Sequence, residues 1–220
     1  MSALKRLNSS RQSILATVIA LVIAASVPSS VAAAGATVPL NVVRQLVARV
    51  LAIVNDKKME QTDKQKKLRN LATANLDFDE MSRLAMGGSW RSLNAEQRRR
   101  FVPVFSSFLE DAYLDKVQNY SDQGIEITRG RLDEQNYAQV SGRIVQQGAE
   151  PIGLGFSLKR EASAWKIYDI SIDNVSTLHS YRAEFQRIMN DKGFDELMKQ
   201  IQDRDRELAM TLGSPSGLPF

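Results

Sequence analysis

Apolar residues recur every three or four positions between Val42 and Val54, so that Val43, Leu46, Val47, Val50, Leu51 and Val54 share one side of a helix. The same spacing predicts a second helix from Thr62, where Thr62 and Gln65 form a capping pair, to about Ala74. A third carries Phe78, Met81, Leu84 and Ala85, is opened by Asp77 and Glu80, and is stopped by Gly87-Gly88. The longest periodic segment follows the pair Asn94 and Gln97. Its stripe of Phe101, Val104, Phe105, Phe108, Leu109, Ala112, Tyr113, Val117 and Tyr120 is apolar and strongly aromatic. Pro103 within it removes one backbone donor and predicts a kink.

After Gly124 the period changes to two. Ile125 and Ile127 begin a strand; Ala138, Val140, Gly142 and Ile144 alternate in a second; Ile152, Leu154, Phe156 and Leu158 alternate in a third; Trp165 to Ser176 make a fourth. The segments Gln146 to Glu150 and Arg160 to Ala164 read as hairpin loops, giving a four-stranded antiparallel meander. The fourth strand changes phase: Trp165 and Ile167 share one face, whereas Tyr168, Ile170 and Ile172 share the other, which predicts a bulge or strong twist near Asp169. Helical spacing returns with Leu178, Tyr181, Phe185 and Ile188, capped by Ser176, and again with Leu197, Met198 and Ile201 after Gly193. Helices, then one sheet, then helices, with no repeat and no second domain, indicate an α+β domain over residues 38–210. The Gly-, Pro- and Ser-rich residues 211–220 read as a disordered tail.

The first residues have a different pattern. Lys5, Arg6 and Arg11 precede an apolar run from Ile14 to Val27, and Ala32-Ala33-Ala34 supplies an A-x-A site. This is the layout of a secretory signal peptide over residues 1–34, too short in its apolar part for the roughly 20 residues of a membrane-spanning helix. Removing it lowers the basic count from 29 to 26 against 25 acidic residues, so the net charge falls from +4 to about +1. A nearly neutral chain lacks the electrostatic footprint of a nucleic-acid binder. Cysteine is absent, which excludes disulfides and thiol chemistry.

Candidate chemistry is sparse. No P-loop, G-x-S-x-G, H-E-x-x-H or G-x-G-x-x-G signature occurs, and no cofactor or metal is expected. His179 is the sole histidine, suited to a solvent-facing or capping position. The run Arg98-Arg99-Arg100 sits opposite the aromatic stripe, as a solvated helix face or as a docking surface for an acidic partner or lipid headgroups. Trp90, Phe101, Phe105, Phe108, Tyr113, Tyr120, Phe156 and Tyr168 fit either a core or the wall of an apolar pocket, because the same residues line both. Asp169 is either a structural carboxylate that bonds the following turn or pairs with Arg182, or the general base of a lyase or isomerase beside Tyr168 or Tyr181.

Four segments, DFDEMSRLAMGGSW (77–90), LNAEQRRRFVPVFSSFLEDAYLDKVQNYSDQ (93–123), AWKIYDISIDNVSTLHSYRAEF (164–185) and DKGFDELMKQI (191–201), resemble the MlaC or toluene-tolerance family of periplasmic phospholipid-binding proteins. Ala95, Gln97, Arg98 and Phe101 match its A-x-Q-R-x-x-F pattern; Trp165, Tyr168, Asp169, Val175 and Ser176 match its W-x-x-Y-D strand and following V-S. Met86 to Ser89, Gly153 and Gly155 depart from the pattern. The resemblance implies helices wrapped around a curved four-stranded sheet, broadly as in nuclear transport factor 2, with an apolar cavity between sheet and helices. It implies a non-enzymatic, monomeric periplasmic carrier with phospholipid as its ligand. Its implied partners are an outer-membrane lipoprotein complex and an MCE-domain subunit of an inner-membrane ABC transporter, with hopanoid as the alternative cargo. The expected cavity wall comprises Leu84, Trp90, Phe101, Phe105, Phe108, Tyr113, Val140, Ile144, Leu154, Phe156, Tyr168, Ile170 and Ile172. A diacyl lipid needs a cavity of roughly 800 Å³. Unaided transfer through water would cost on the order of 20 kcal/mol.

Overall fold

Among the residues described by the computed structural model, which are 30–118, 124–134, 136–145, 148–162 and 164–213, six α-helices surround one antiparallel sheet. Helices α1 (Ser30–Val54), α2 (Gln61–Asn75), α3 (Phe78–Met86) and α4 (Ala95–Gln118) come first, with a 3-10 turn at Gly87–Arg91 before α4. Strands β1 (Gly124–Glu134), β2 (Tyr137–Val145), β3 (Ile152–Glu161), β4 (Ala164–Ile172) and β5 (Val175–Ser176) follow in spatial order, and α5 (Thr177–Lys192) and α6 (Phe194–Gly213) close the chain. The sheet has five strands, not the four expected. Asp173 and Asn174 both have positive φ, 48° and 65°, and fold the chain back so that Val175 and Ser176 pair with Ile172 and Ser171. A two-residue strand is too short to show a period.

Local signals set most boundaries. Asn94 and Gln97 cap each other reciprocally, Asn94 Oδ1 accepting from Gln97 N at 2.8 Å and Gln97 Oε1 from Asn94 N at 3.0 Å. Asp77 accepts from Glu80 N, and Ser176 from His179 N. The pair Thr62 and Gln65 does not cap: α2 starts at Gln61, and Gln65 instead donates to the carbonyl of Leu212. Gly87 at φ 53° and Gly193 at φ 83° stop α3 and α5. A Cβ at Gly87 would also meet the Arg182 side chain at 2.9 Å. Helix α1 begins before Val42, at Ser30, because the alanines at 32–34 are strong helix formers. The leader residues 1–29 and Tyr120 lie outside the described residues. Helix α6 runs three residues into the segment expected as a tail and buries Leu212; 214–220 lie outside the description.

Alternation places four apolar rows on the inner face of the sheet: Leu132–Ala138–Leu158–Ile167, then Val140–Phe156–Ile170, then Ile127–Gly142–Leu154–Ile172–Val175, then Ile125–Ile144–Ile152. The predicted bulge is present. Ser157 faces Asp169 while Leu158 faces Ile167, which leaves Tyr168 as the extra residue. Ile167, Ile170 and Ile172 therefore share the inner face, and Tyr168 packs against Tyr137, whose strand neighbour Ala138 points inward. Gly142 belongs to the third row; a Cβ there would lie 2.5 Å from the Glu126 carbonyl oxygen, so the close approach of β1 excludes any larger residue.

Helices α4, α5 and α3 bury their apolar sides together with this inner face. Helix α4 continues through Pro103. Arg44 of α1 ties the helices to the sheet by donating Nε and Nη2 to the Ile127 carbonyl, each at 3.1 Å. Helix α6 lies alongside α4: Arg100 meets Asp195 near their starts, and Leu114 joins Leu212, Val54 and Leu68 in a small second cluster near their ends.

Candidate functional site

The aromatic stripe of α4 meets that of α5. Phe101 stacks on Phe105 with centroids 5.3 Å apart, Phe105 on Phe108 at 6.2 Å, and Tyr181 and Phe185 meet these rings edge-on at 5.4 to 6.0 Å. Phe101 and Phe105 are wholly buried, and Val140 and Phe156 of the sheet are buried in the same cluster. Leu84, Trp90, Tyr113, Leu154 and Ile170 pack around this cluster partly buried, and Ile144 is buried between Ile125 and Ile152. The structure thus brings ten of the thirteen expected wall residues into the helix–sheet cluster, with Ile144 buried outside it. Two lie elsewhere: Tyr168 is displaced by the bulge, and Ile172 is 39% exposed at the edge completed by β5. Beyond it Val175 is 60% exposed, so the inner apolar row emerges into solvent at this end of the sheet.

A cleft of about 440 Å³ opens beside the aromatic cluster. Phe108, Ala112 and Lys116, four apart on α4, form one wall; Arg204, Glu207, Leu208 and Thr211, three and four apart on α6, form the other; Tyr181 of α5 lies between. Phe108 and Tyr181 belong to both the cleft and the buried cluster, so the cleft floor is continuous with the interior. Its volume falls within the usual span of ligand sites, about 300–1,000 Å³, but is close to half of what a diacyl lipid requires. Sequence reasoning did not find this cleft, because α4 and α6 are separated by the whole sheet; the polar spacing on α6 was its only sequence trace.

The remaining candidates acquire specific partners. Arg98 lies over the Trp90 ring at 5.3 Å and donates to the Trp90 carbonyl; Arg99 pairs with Glu96; Arg100 pairs with Asp195 and lies over Phe194. The arginine run therefore holds the start of α4 to its surroundings. His179 is exposed on the first turn of α5. Arg182 does not pair with Asp169; its Nε donates to the Leu84 carbonyl at the end of α3. Burial raises the Asp169 pKa, opposed by the Ser176 hydroxyl, the Ile170 and Leu178 N–H groups and the charge of Arg182. Two of those groups, Ser176 and Leu178, belong to the start of α5, so Asp169 braces that helix end and is not among the cleft residues. Nearby, the Tyr113 hydroxyl bonds Thr177 at 3.3 Å, and burial pushes the Tyr113 pKa upward.

A family profile described as MlaC protein matches residues 44–203, most of the chain, and ends just before the α6 residues of the cleft, Arg204 to Thr211. The chain belongs to the MlaC family. Among its relatives, the intermembrane phospholipid transport system binding protein MlaC of Haemophilus influenzae is 31% identical over 121 residues, 53% of this chain and 56% of that protein. Toluene tolerance protein ttg2D of Pseudomonas putida is 22% identical over 121 residues, 54% of this chain and 56% of that protein. The matched region spans about half the length of these relatives. A solved structure of a phospholipid-binding protein from Ralstonia solanacearum, in complex with a phospholipid, superposes with a TM-score of 0.65 at 24% identity, covering 76% of this chain and 96% of that one. That likeness establishes a shared fold for this MlaC-family chain. Among the described residues no helix is long and apolar enough to cross a membrane.

Proposed function

We propose that this protein is a periplasmic phospholipid carrier, delivered there by the leader over residues 1–34, and that it binds lipid without chemically changing it. The observation that carries this reading is the continuity between the cleft floor, Phe108 and Tyr181, and the aromatic interior facing an unclosed apolar sheet. In this reading an acyl chain enters past Phe108 and Tyr181 and parts the packed rings of Phe101, Phe105 and Phe156. Leu84, Trp90, Tyr113, Val140, Ile144, Leu154 and Ile170 form the surrounding wall. Since the cleft holds only about 440 Å³, loading a second chain requires α6 to move away from α4. Exchange with a membrane is then close to balanced, because both environments are apolar, and direction is set by the protein's partners. These partners are an outer-membrane lipoprotein complex and an MCE-domain subunit of an inner-membrane ABC transporter.

Organic extracts of the folded protein, purified from a Gram-negative host and analysed by mass spectrometry, should contain phospholipid in near-stoichiometric amount. Hopanoid in its place would change the cargo but not the class of function. An extract holding neither, from protein with a cooperative thermal transition, would sink the carrier reading. Lipid transfer between vesicles that survives in Asp169→Asn would argue against the lyase or isomerase alternative.

A further inference from the structure

Helix α6 is held differently along its two halves. The first half buries Phe194, Leu197, Met198 and Ile201 in the main core. Between residues 202 and 212 only Leu212 is buried, and Arg204, Glu207, Leu208 and Thr211 of this half form one wall of the cleft. The second half is about 16 Å long. It is fastened at its far end, where Leu212 sits with Val54, Leu68 and Leu114 in a cluster separate from the main core and its carbonyl accepts from Gln65 Nε2 at 3.0 Å.

The fastening in between is mixed. Arg204 donates to both carboxylate oxygens of Glu184 on α5. Its neighbour Asp205 instead lies against the nearly buried Asp111 of α4, which Arg69 also engages together with Glu110. Among the described residues one cation thus serves three carboxylates at this junction. Neither aspartate can donate to the other without taking up a proton, and Asp205 Oδ1 is buried with no hydrogen-bond partner. The middle of the half-helix therefore rests on a contact that opposes closure while both groups are ionised. Segments with few buried apolar side chains also open at lower free energy than the core they lie on.

Resting on the carrier reading above, we propose that residues 202–212 are a strap over the cleft, which pivots beside Ile201, releases Leu212 as its catch, and lifts to let an acyl chain reach Phe108 and Tyr181. The facing aspartates keep the closed position only slightly favoured. Lifting removes the α6 wall of a cleft of about 440 Å³ and opens only one small apolar cluster, while the anchor from Phe194 to Ile201 stays in place.

The chain contains no cysteine, so a pair of thiols can be placed without background. In the full-length protein, Leu114→Cys together with Leu212→Cys is joined by a short bis-maleimide. Uptake from vesicles of equal phosphatidylethanolamine and phosphatidylglycerol is then followed by extraction and mass spectrometry. The linked form should load about tenfold more slowly than the same variant before linking. Asp205→Asn, a near-isosteric change, lets an amide donate to Asp111. It should slow loading about tenfold and slow amide hydrogen exchange over 202–212 by the same factor, with 194–201 unchanged. Equal loading before and after linking, or exchange over 202–212 in Asp205→Asn as fast as in wild type, overturns the strap and leaves the carrier reading standing. A wild type that takes up no lipid overturns the carrier reading, and the role of the strap with it.

Discussion

Phe105 and Asp169 show how differently single residues act in this structure. Phe105 touches Phe101, Phe108, Tyr181 and Phe185 and is wholly buried, so Phe105→Ala leaves a cavity that four rings cannot collapse to fill. The expected loss is about 3–5 kcal/mol, read as a lower urea midpoint, and a midpoint unchanged from wild type would contradict this packing. Asp169 acts through protonation. Its folded pKa lies above its unfolded value of about 3.9, so its contribution to stability is complete below that pH and is lost as pH rises through the folded pKa. Asp169→Asn removes that titration. The melting temperature of the variant relative to wild type should therefore climb between pH 4 and 7; a flat difference across that range would show that the carboxylate is not desolvated.

At the scale of elements, the sheet is shaped by positions where one strand crowds the next. Thr128 and Asp133 in β1 and Tyr168 in β4 are the extra residues at register shifts, and at Gly142 β1 comes too close to β2 for a side chain. Gly142→Ala would force a methyl against the Glu126 carbonyl oxygen. A loss of about 1–3 kcal/mol is expected, with faster amide exchange in β1 and β2; wild-type exchange there would show that the sheet can yield. The bulge at Tyr168 was legible in the sequence because the apolar phase slips by one residue. Its outcome was read only in part. Ile167 and Ile170 both stay inside because Tyr168 takes up the extra residue on the other face, a partition that alternation cannot assign on its own.

Across the whole molecule, three helices from distant parts of the chain meet at Arg69. It bridges Glu110 and the nearly buried Asp111, which itself lies against Asp205 of α6. Burial is the main cause that raises the pKa of both Glu110 and Asp111, and Arg69 opposes it. Arg69→Met leaves these carboxylates desolvated without their cation, which should cost about 3 kcal/mol near neutral pH. The loss should shrink as pH falls and the carboxylates protonate, and adding Asp111→Asn should restore part of it. Equal losses at pH 5 and pH 8 would exclude this account. Because α6 also forms one wall of the cleft, the junction sets how readily that wall moves.

The order of elements, most helix caps, the aromatic stripe of α4 and the inner face of the sheet are local properties, and residues such as Asn94, Gly193, Phe105 and Val140 declare them through spacing and capping chemistry alone. Family membership was legible for the same reason, since the segments 77–90 and 164–185 carry that local chemistry in order. The cleft was not, because its walls on α4 and α6 are separated in the chain by the whole sheet and come together only when α6 packs along α4. Nor was the fifth strand, whose two residues pair through a turn and not through a pattern. Which of the apolar residues would be covered, as Phe156 is, and which left at the edge, as Ile172 is, depended on where the helices end over the sheet. Periodicity identifies the apolar side of each element, and only tertiary packing decides how much of that side is covered.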